Sequence, residues 1–435
     1  MSAMTLDEHR QLESRLLSVP MGPPLASPLA THIAAHGTLT IPKNDDLWNA
    51  AVERAVRQSG LLGRGGAGFP TWAKWAALSQ SKRRPVVVVN GIEGEPASAK
   101  DRVLLTHAPH LALDGAEVAA SVIGAREIVF CVADSAAADS VEEAIEERRH
   151  AGMGRARAMV RRAPGRYVAG EESALVTWLQ TGAALPVMRR DKSVPLTVGR
   201  RPAVVHNVET LSQVALIARH GPAWFRALGT PEAPGTTLVT VSGAVRRPGV
   251  LEIPLGTPII DILAAAGLIG PAAGVLVGGY GGTWLAASRS HTPYAPGPLS
   301  ALGATHGVGV LIALPQGSCG IAETARIARY MAGQSAGQCG PCVFGLPAIA
   351  GDLEQLWSGR AEASVVDRIG HRAATVDGRG ACRHPDGVAR VVRSALNVFA
   401  EDARAHAQGR PCAGAGSPTV LPLPSGQGRP IRRTS

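Results

Sequence analysis

The spacing of apolar and polar positions changes character three times along the chain. Between Asp46 and Gln58, Leu47, Ala51 and Ala55 recur with Val52 and Val56 at helical spacing. Asn44 or Asp45 offers a capping oxygen at one end, and Gly60 offers a stop at the other. A glycine-rich loop follows, with a second helix expected from Thr71. Val86–Val89 is a continuous apolar run, the pattern of a strand covered on both faces. Leu111–Gly124 then reads as a helix, Glu127–Val132 as a strand and Ser140–His150 as a charged surface helix. This alternation predicts an α/β layer over 45–230, preceded by an N-terminal extension, 1–44.

Gly, Thr and Pro cluster at 229–235 and mark a linker. Beyond it, Thr237–Val241, Gly249–Ile253 and Gly274–Val277 read as short strands around a compact helix at Pro258–Ala266. That order predicts a small β-grasp-like domain over 236–318. From Ile321 the period is helical again, in Ile321–Met331, Leu346–Leu356, Val365–Ala374 and Val388–His406. A C-terminal four-helix bundle over 321–406 is expected, with cysteines at its loops. Residues 407–435 are rich in Gly, Pro, Ser and Arg, the composition of a disordered tail.

Composition narrows the class. A chain of 435 residues is too long for one simple core. With 45% apolar but only 4% aromatic residues, its cores must rest on Ala, Val, Leu and Ile. No uncharged apolar stretch reaches the ~18 residues of a membrane span, and the run Val308–Pro315 is far too short. The first residues, MSAMTLDEHRQLESRLL, lack the order of a signal peptide, so a cytoplasmic protein is expected. The net charge of +10 raises the question of nucleic acid. Arginines are scattered, however, and the pairs Arg161–Arg162 and Arg189–Arg190 lack interleaved aromatics, so no nucleic-acid partner is expected.

Candidate chemistry begins at Gly60–Pro70, GLLGRGGAGFP, which contains G-x-G-x-x-G at Gly63, Gly65 and Gly68. A dinucleotide-binding Rossmann loop follows a strand, whereas this one follows a helix. Glycines still let backbone N–H groups approach an anion, which Arg64 and Lys74 could neutralise; a plain helix–helix turn is the alternative. The segment NGIEGEPASAKDR, Asn90–Arg102, leaves the end of the buried strand, where α/β sheets bind ligands. YVAGEESAL, Tyr167–Leu175, carries the adjacent carboxylates Glu171 and Glu172, acceptors for ribose hydroxyls or amide donors. Either segment could equally be a solvated turn.

Of six cysteines, Cys131 lies in an apolar run and reads as a buried small side chain, and Cys412 reads as inert in the tail. Cys339 and Cys342 form C-x-x-C, and Cys382 follows after 39 residues. Cys319 lies a helix away and is not expected to join them. On spacing alone, an iron–sulfur site, a zinc site completed by His384, and relic thiols all remain open.

Four motifs in order, GRGGAGFP–TWAKW, N-x-x-E-x-E-P-x-x-x-K-D-R, Y-x-x-G-E-E-x-A-L and H-N-V-E-T at His206–Thr210, resemble the family of flavin-binding, NADH-oxidising subunits of respiratory complex I. These are the F-type subunits of NADH-quinone oxidoreductase, grouped with the diaphorase subunits of NAD-linked hydrogenases and formate dehydrogenases. The resemblance spans roughly residues 45 to 395. It implies an α/β flavin-binding domain, a β-grasp-like (SLBB-type) domain and an iron–sulfur-binding helical bundle. It implies an FMN pocket lined by Gly63, Arg64, Gly65, Gly66, Lys74, Asn90, Glu93, Tyr167, Glu171 and Asn207. Phe69, Glu95, Glu172 and Lys192 would face the nicotinamide nucleotide, NAD(H). The family's cysteine run implies a 4Fe-4S cluster on Cys339, Cys342 and Cys382, with Ala336 where the first cysteine should stand. Implied partners are NADH and other redox subunits, a ferredoxin-like or complex I-like electron acceptor that would hold the chain peripherally at the inner face of the membrane.

The chain departs from the pattern elsewhere too. Ile92 replaces an expected Asp and Ala97 a Gly, and phenylalanines expected near Ala77 and Pro195 are missing. Two functions therefore compete: an FMN-dependent enzyme taking hydride from NADH and passing on single electrons, and a degenerate protein that carries flavin or serves only as structure in a redox complex. A third, a polyanion binder, rests on charge alone.

Overall fold

The structure, a computed structural model, describes residues 14–18, 28–78, 81–189, 194–360, 362, 364–414 and 416–424. Its first layer opens with helices α1 (Leu29–His36), α2 (Asp46–Ser59) and α3 (Thr71–Ala76). The expected cap of α2 is Asp45, whose carboxylate accepts from Trp48 N at 2.9 Å, and Gly60 ends the helix in the left-handed region. Strand β1 (Val86–Gly91) is followed by α4 (Lys100–His107), α5 (Pro109–Ile123), β2 (Glu127–Val132), α6 (Ser135–His150) and β3 (Arg157–Arg162). After a 3-10 turn at Tyr167–Gly170 come α7 (Glu172–Thr181), β4 (Leu196–Val198), β5 (Arg201–Asn207) and α8 (Val208–Arg226). Helices α4 and α7 and strands β3 to β5 are not evident in the sequence pattern, because short mixed-polarity segments carry little periodicity.

These strands form one sheet in the order β3-β2-β1-β5-β4, parallel except for β4. All four valines of β1 are fully buried, since helices cover both faces. On one face α5 and α8 press together at Gly115, where a β-carbon would lie 1.8 Å from the Leu211 carbonyl oxygen. Only glycine permits that approach.

A second sheet, in the order β7-β6-β10-β8-β9, comprises β6 (Thr236–Gly243), β7 (Gly249–Pro254), β8 (Ala272–Val277), β9 (Thr283–Ala286) and β10 (Val310–Pro315), with α9 (Ile259–Ala265) and α10 (Pro296–Ala301). Its middle strand is β10, parallel to β6 and antiparallel to β8. Nothing local distinguishes β10 from any short apolar run; its place depends on pairing with distant strands. The segment 14–18 joins this unit, with the Arg15 and Leu16 amides donating to Glu252 on β7 at 3.0 and 2.9 Å.

Helices α11 (Gly320–Gly333), α12 (Leu346–Trp357), α13 (Val365–Val376), α14 (His384–Val398) and α15 (Ala400–Ala407) pack together beyond it, with a π-helical turn at Pro341–Gly345. The expected helix Val388–His406 is thus two, interrupted at Phe399, whose ring turns onto Trp284 at a centroid distance of 5.2 Å. The expected disordered tail also needs correcting as far as residue 424. Leu421 is buried, Val420 N donates to Glu323, and the Tyr280 hydroxyl donates to the Pro422 carbonyl. An apolar anchor and satisfied backbone groups outweigh the tail's polar composition; residues 425–435 lie outside the described ones. Among the described residues, no helix is long and apolar enough to cross a membrane.

Candidate functional site

The first sheet has its topological switch point between β1 and β5: from β1 the chain moves to β2 and β3, then returns to β5 on the other side. Crevices of this kind, at the carboxyl ends of the strands, bind ligands in open α/β sheets. Asn90 and Asn207 end the two strands and stand opposite each other in the parallel register.

The glycine loop lies over this edge. Its neck is closed by Gly63 N donating to the Phe69 carbonyl at 2.9 Å. Gly66 and Gly68 have φ of 99° and 62°, a region that disfavours side chains. A β-carbon on Gly65 would meet that of Asn207 at 3.3 Å, which seats the loop on the end of β5. Residues 64–67 form a turn, and among the described residues no amide from Gly65 to Gly68 is bonded to an acceptor outside the loop. Amides held only within an accessible loop suit an anion such as a phosphate.

Arg64 does not serve that anion. Its side chain is buried and turned inward, with Nη2 donating to the Thr236 carbonyl at 3.1 Å and Nε 3.8 Å from Glu209. The reason is a buried charge network that residue spacing does not announce. Lys100 Nζ lies 2.7 Å from Asp101 and 3.0 Å from Glu209, and Asn207 Nδ2 donates to Asp101 at 2.6 Å. Burial alone would lower the Lys100 pKa, but Asp101 and Glu209 outweigh it and hold the ammonium above its usual range. Breaking such a set by removing one partner costs about 3–5 kcal/mol. The available signal lies in the K-D and E positions of two motifs, charged residues set among apolar helix residues.

Other expected residues are partly engaged. Asn207 Oδ1 caps α8 by accepting from Glu209 N, and Asn90 Nδ2 donates to the Gly170 carbonyl at 2.8 Å. Glu93 accepts from Ser98 Oγ and from the Asp101 and Arg102 amides, so it caps α4; burial pushes its carboxyl up. Glu171 caps α7 through the Ser173 and Ala174 amides. Glu95 is buried, accepts from Tyr280 N and Ala97 N at 2.8 and 3.2 Å, and is pushed up to about 7 by burial. It faces the junction with the second sheet and the Tyr167 phenol. Burial also holds that phenol well above its usual pKa.

What remains open toward the crevice is Lys74, Glu172 and Phe69. Lys74 Nζ donates to Glu172 at 3.0 Å and to the Val205 carbonyl at 2.8 Å, which ties α3 to β5 and to the start of α7. Phe69 is 50% exposed at the loop's end. Beneath it, Trp75 Nε1 donates to His206 Nε2, and burial keeps that imidazole neutral. Lys192 lies outside the described residues.

The cysteines Cys339, Cys342 and Cys382 line one small hollow of about 10 Å³ together with Val168, Ala336 and His384. Cys339 enters from the loop before the π-helical turn, Cys342 from the turn itself and Cys382 from the loop before α14. Burial pushes Cys382 up to about 11, and burial with the neighbouring thiols raises Cys342 further. Thiols crowded in this way resist ionising together unless a cation is shared between them. Ala336, which the resemblance sets in the place of a cysteine, lines the same hollow. His384 changes the donor count. Its Nε2 donates to the Met331 carbonyl at 2.8 Å, burial lowers its pKa, and its buried Nδ1 has no protein partner. The neutral ring therefore keeps its lone pair on Nδ1. His384 thus lines the hollow beside three cysteines, and cysteine and histidine are the residue types that hold iron–sulfur clusters and zinc.

The crevice and the hollow share one short turn. Gly170 accepts from Asn90 on the crevice side, Val168 lines the hollow, and Tyr167 packs edge-on against His384 at 5.4 Å. Cys131 is buried in β2 as expected, whereas Cys319 and Cys412 come together elsewhere, beside His406.

Known proteins share this layout. Residues 56–216 match the Nuo51 FMN-binding domain, residues 238–279 the SLBB domain, and residues 322–406 the NADH-ubiquinone oxidoreductase-F iron-sulfur binding region. The chain is 30% identical over 379 residues to an F-type NADH-quinone oxidoreductase subunit (the form numbered 2) of Rhizobium meliloti (strain 1021), covering 83% of this chain and 90% of that protein. It is 30% identical over 372 residues to the F-type NADH-quinone oxidoreductase subunit of Streptomyces coelicolor, covering 82% and 83% respectively. The crystal structure of an NAD+-reducing NiFe hydrogenase in the air-oxidized state superimposes with a TM-score of 0.77 at 31% identity, over 92% of this chain and 72% of that chain.

Proposed function

The chain belongs to the family of F-type NADH-quinone oxidoreductase subunits, and from that premise we propose that the switch-point crevice is where it oxidises NADH on FMN. The protein is an FMN-dependent oxidoreductase that takes hydride from NADH and passes single electrons to an iron–sulfur centre or partner. FMN, when bound, supplies the conversion of a two-electron donor into single electrons.

The observation that carries the crevice assignment is the glycine loop, whose amides from Gly65 to Gly68 have no acceptor outside the loop among the described residues, on the edge formed by Asn90 and Asn207. Those amides bind the flavin phosphate. Lys74 keeps a positive charge beside the strand ends, and Glu172 accepts hydrogen bonds from ribose. Phe69 offers its exposed face to a nucleotide ring. Asn90, Asn207, Glu93 and Glu171 act as wall-builders: their caps and cross-links hold α4, α7 and α8 in place around the ligand. Lys192 is carried over from the family motif alone.

In the helical bundle, Cys339, Cys342 and Cys382 would hold the cluster, and His384 Nδ1 would take the place of the cysteine that the family has where this chain has Ala336. The free buried lone pair supports this reading, since an unpaired polar atom in such a hollow is costly unless a ligand takes it. The turn Tyr167–Gly170 links both sites, and a cluster held in the hollow would supply one-electron transfer towards a redox partner protein.

Anaerobic titration of the FMN-loaded chain with NADH tests the first assignment: the flavin absorption band bleaches stoichiometrically. A yellow protein inert to NADH would overturn it in favour of a non-catalytic flavin carrier. For the cluster, His384→Ala loses iron and changes the electron paramagnetic resonance spectrum while FMN retention is unaltered. Unchanged iron content and spectrum would remove His384 from the ligand set.

A further inference from the structure

Away from both sites, three side chains with metal-binding chemistry meet at the far end of the bundle. Cys319 caps α11, its Sγ accepting from Ala322 N at 3.3 Å. His406, from the last turn of α15, places Nε2 3.4 Å from that sulfur. Cys412 arrives from the C-terminal segment, and the three ligand atoms all lie within 4.8 Å of one another. Cys319 and His406 are 5% and 2% exposed.

We propose that Cys319, His406 and Cys412 form a structural zinc site that clamps the C-terminal segment onto the bundle. In tetrahedral zinc, with bonds of about 2.3 Å to sulfur and about 2.0 Å to nitrogen, neighbouring ligand atoms stand roughly 3.5–3.8 Å apart. The observed separations need only small side-chain rotations to meet that. Two thiols and an imidazole suit a borderline-soft divalent ion and exclude calcium or magnesium, which require oxygen. Three protein ligands leave the fourth tetrahedral position to a water molecule. On binding, the two thiols release their protons to solvent and no electrons move.

The neighbourhood explains what a clamp would hold. Beyond Cys412, Gly414 packs against Ser318 and Cys319, and Ser417 Oγ donates to the Gly317 carbonyl at 2.6 Å. The segment then crosses α11, where Leu421 is buried, and reaches the Tyr280 hydroxyl through Pro422. Tyr280 N in turn donates to Glu95 at the domain junction. Metal at Cys412 therefore fixes the first residues of a strap that reaches the second-sheet unit at Tyr280, one hydrogen bond from Glu95. The site is separate from the cluster hollow, which takes a different set of cysteines.

The test uses the full chain, isolated anaerobically with zinc supplied, and measures zinc and iron per chain together. About one zinc per chain is expected in wild type and in Cys382→Ala, with none in Cys319→Ala/Cys412→Ala. His406→Ala should weaken zinc binding at least tenfold against a competing chelator. Zinc X-ray absorption of the wild type should show two sulfurs in the shell. Should the double variant fail to fold, cobalt titration of reduced wild-type chain decides: tetrahedral ligand-field bands with thiolate charge transfer support the site, and their absence overturns it. Zinc that persists without Cys319 and Cys412, zinc lost with Cys382, or a Cys319–Cys412 disulfide in the anaerobic protein would each overturn it as well.

Discussion

The flavin crevice and the cysteine hollow solve the same problem, holding a redox group, with opposite materials. In the crevice most expected side chains are engaged with each other: Arg64 with Glu209, Asn207 with Asp101, Glu171 with the start of α7. The groups left for a ligand are backbone amides, Lys74, Glu172 and one aromatic face. In the hollow the groups on offer are side chains: three cysteine sulfurs and the ring of His384. A backbone cradle tolerates side-chain change but not glycine replacement. A side-chain cage behaves the other way round.

The sharpest way to break that comparison is Cys342→Ala. Removing one of three thiols should abolish the cluster altogether, read as loss of iron and of its paramagnetic signal, with FMN still bound. Next is Gly66→Val. The left-handed φ of 99° makes a β-branched residue strongly unfavourable and disorders the cradle. FMN affinity should fall more than about a hundredfold, or roughly 2.8 kcal/mol, in a fluorescence-quenching titration, with iron content unchanged. Equal loss of flavin in both variants would mean that the two sites do not fail independently.

A third test addresses the junction between them. Glu95 is raised from 4.5 to about 7 by burial. The folded state binds this proton more tightly than the unfolded state does. Its contribution is therefore greatest below about pH 4.5, declines as pH rises to about 7, and is flat above. The span is at most about 3 kcal/mol. Urea unfolding at about pH 5 and pH 8 should show that decline, and Glu95→Gln should flatten it. A wild-type slope identical to the variant's would show that Glu95 ionises freely. The smallest effect is Lys74→Met. With one charge removed from a cradle that rests on amides, FMN affinity should drop about tenfold, or roughly 1.4 kcal/mol. A loss as large as that for Gly66→Val would make Lys74, rather than the backbone, the main phosphate holder.

Much of the crevice was legible because its signals are local. The cap at Asp45, the stop at Gly60 and the buried strand from Val86 all depend on neighbours a few residues away. The spacing of Cys339 and Cys342 could be read in the same way, whereas the alanine at 336 took its meaning from the resemblance to the family. The direction of the Arg64 side chain could not, because it is set by Glu209 and Thr236, far along the chain. Phe399 interrupts a helix that looks continuous in periodicity, because Trp284 on another element draws its ring aside.

Residue patterning alone located the helix from Asp46, the strand from Val86, the glycine loop and the C-x-x-C pair, and the resemblance to the family added that the cysteine set is one thiol short. Tertiary packing decided which polar groups remained free for ligands, including the lone pair of His384. It also turned Cys412, which composition marked as inert, into a neighbour of Cys319 and His406. The physical reason is range. Caps, turns and strand patterns are satisfied within a few residues, whereas a buried charge, lone pair or thiol takes its partner from whatever the fold brings beside it.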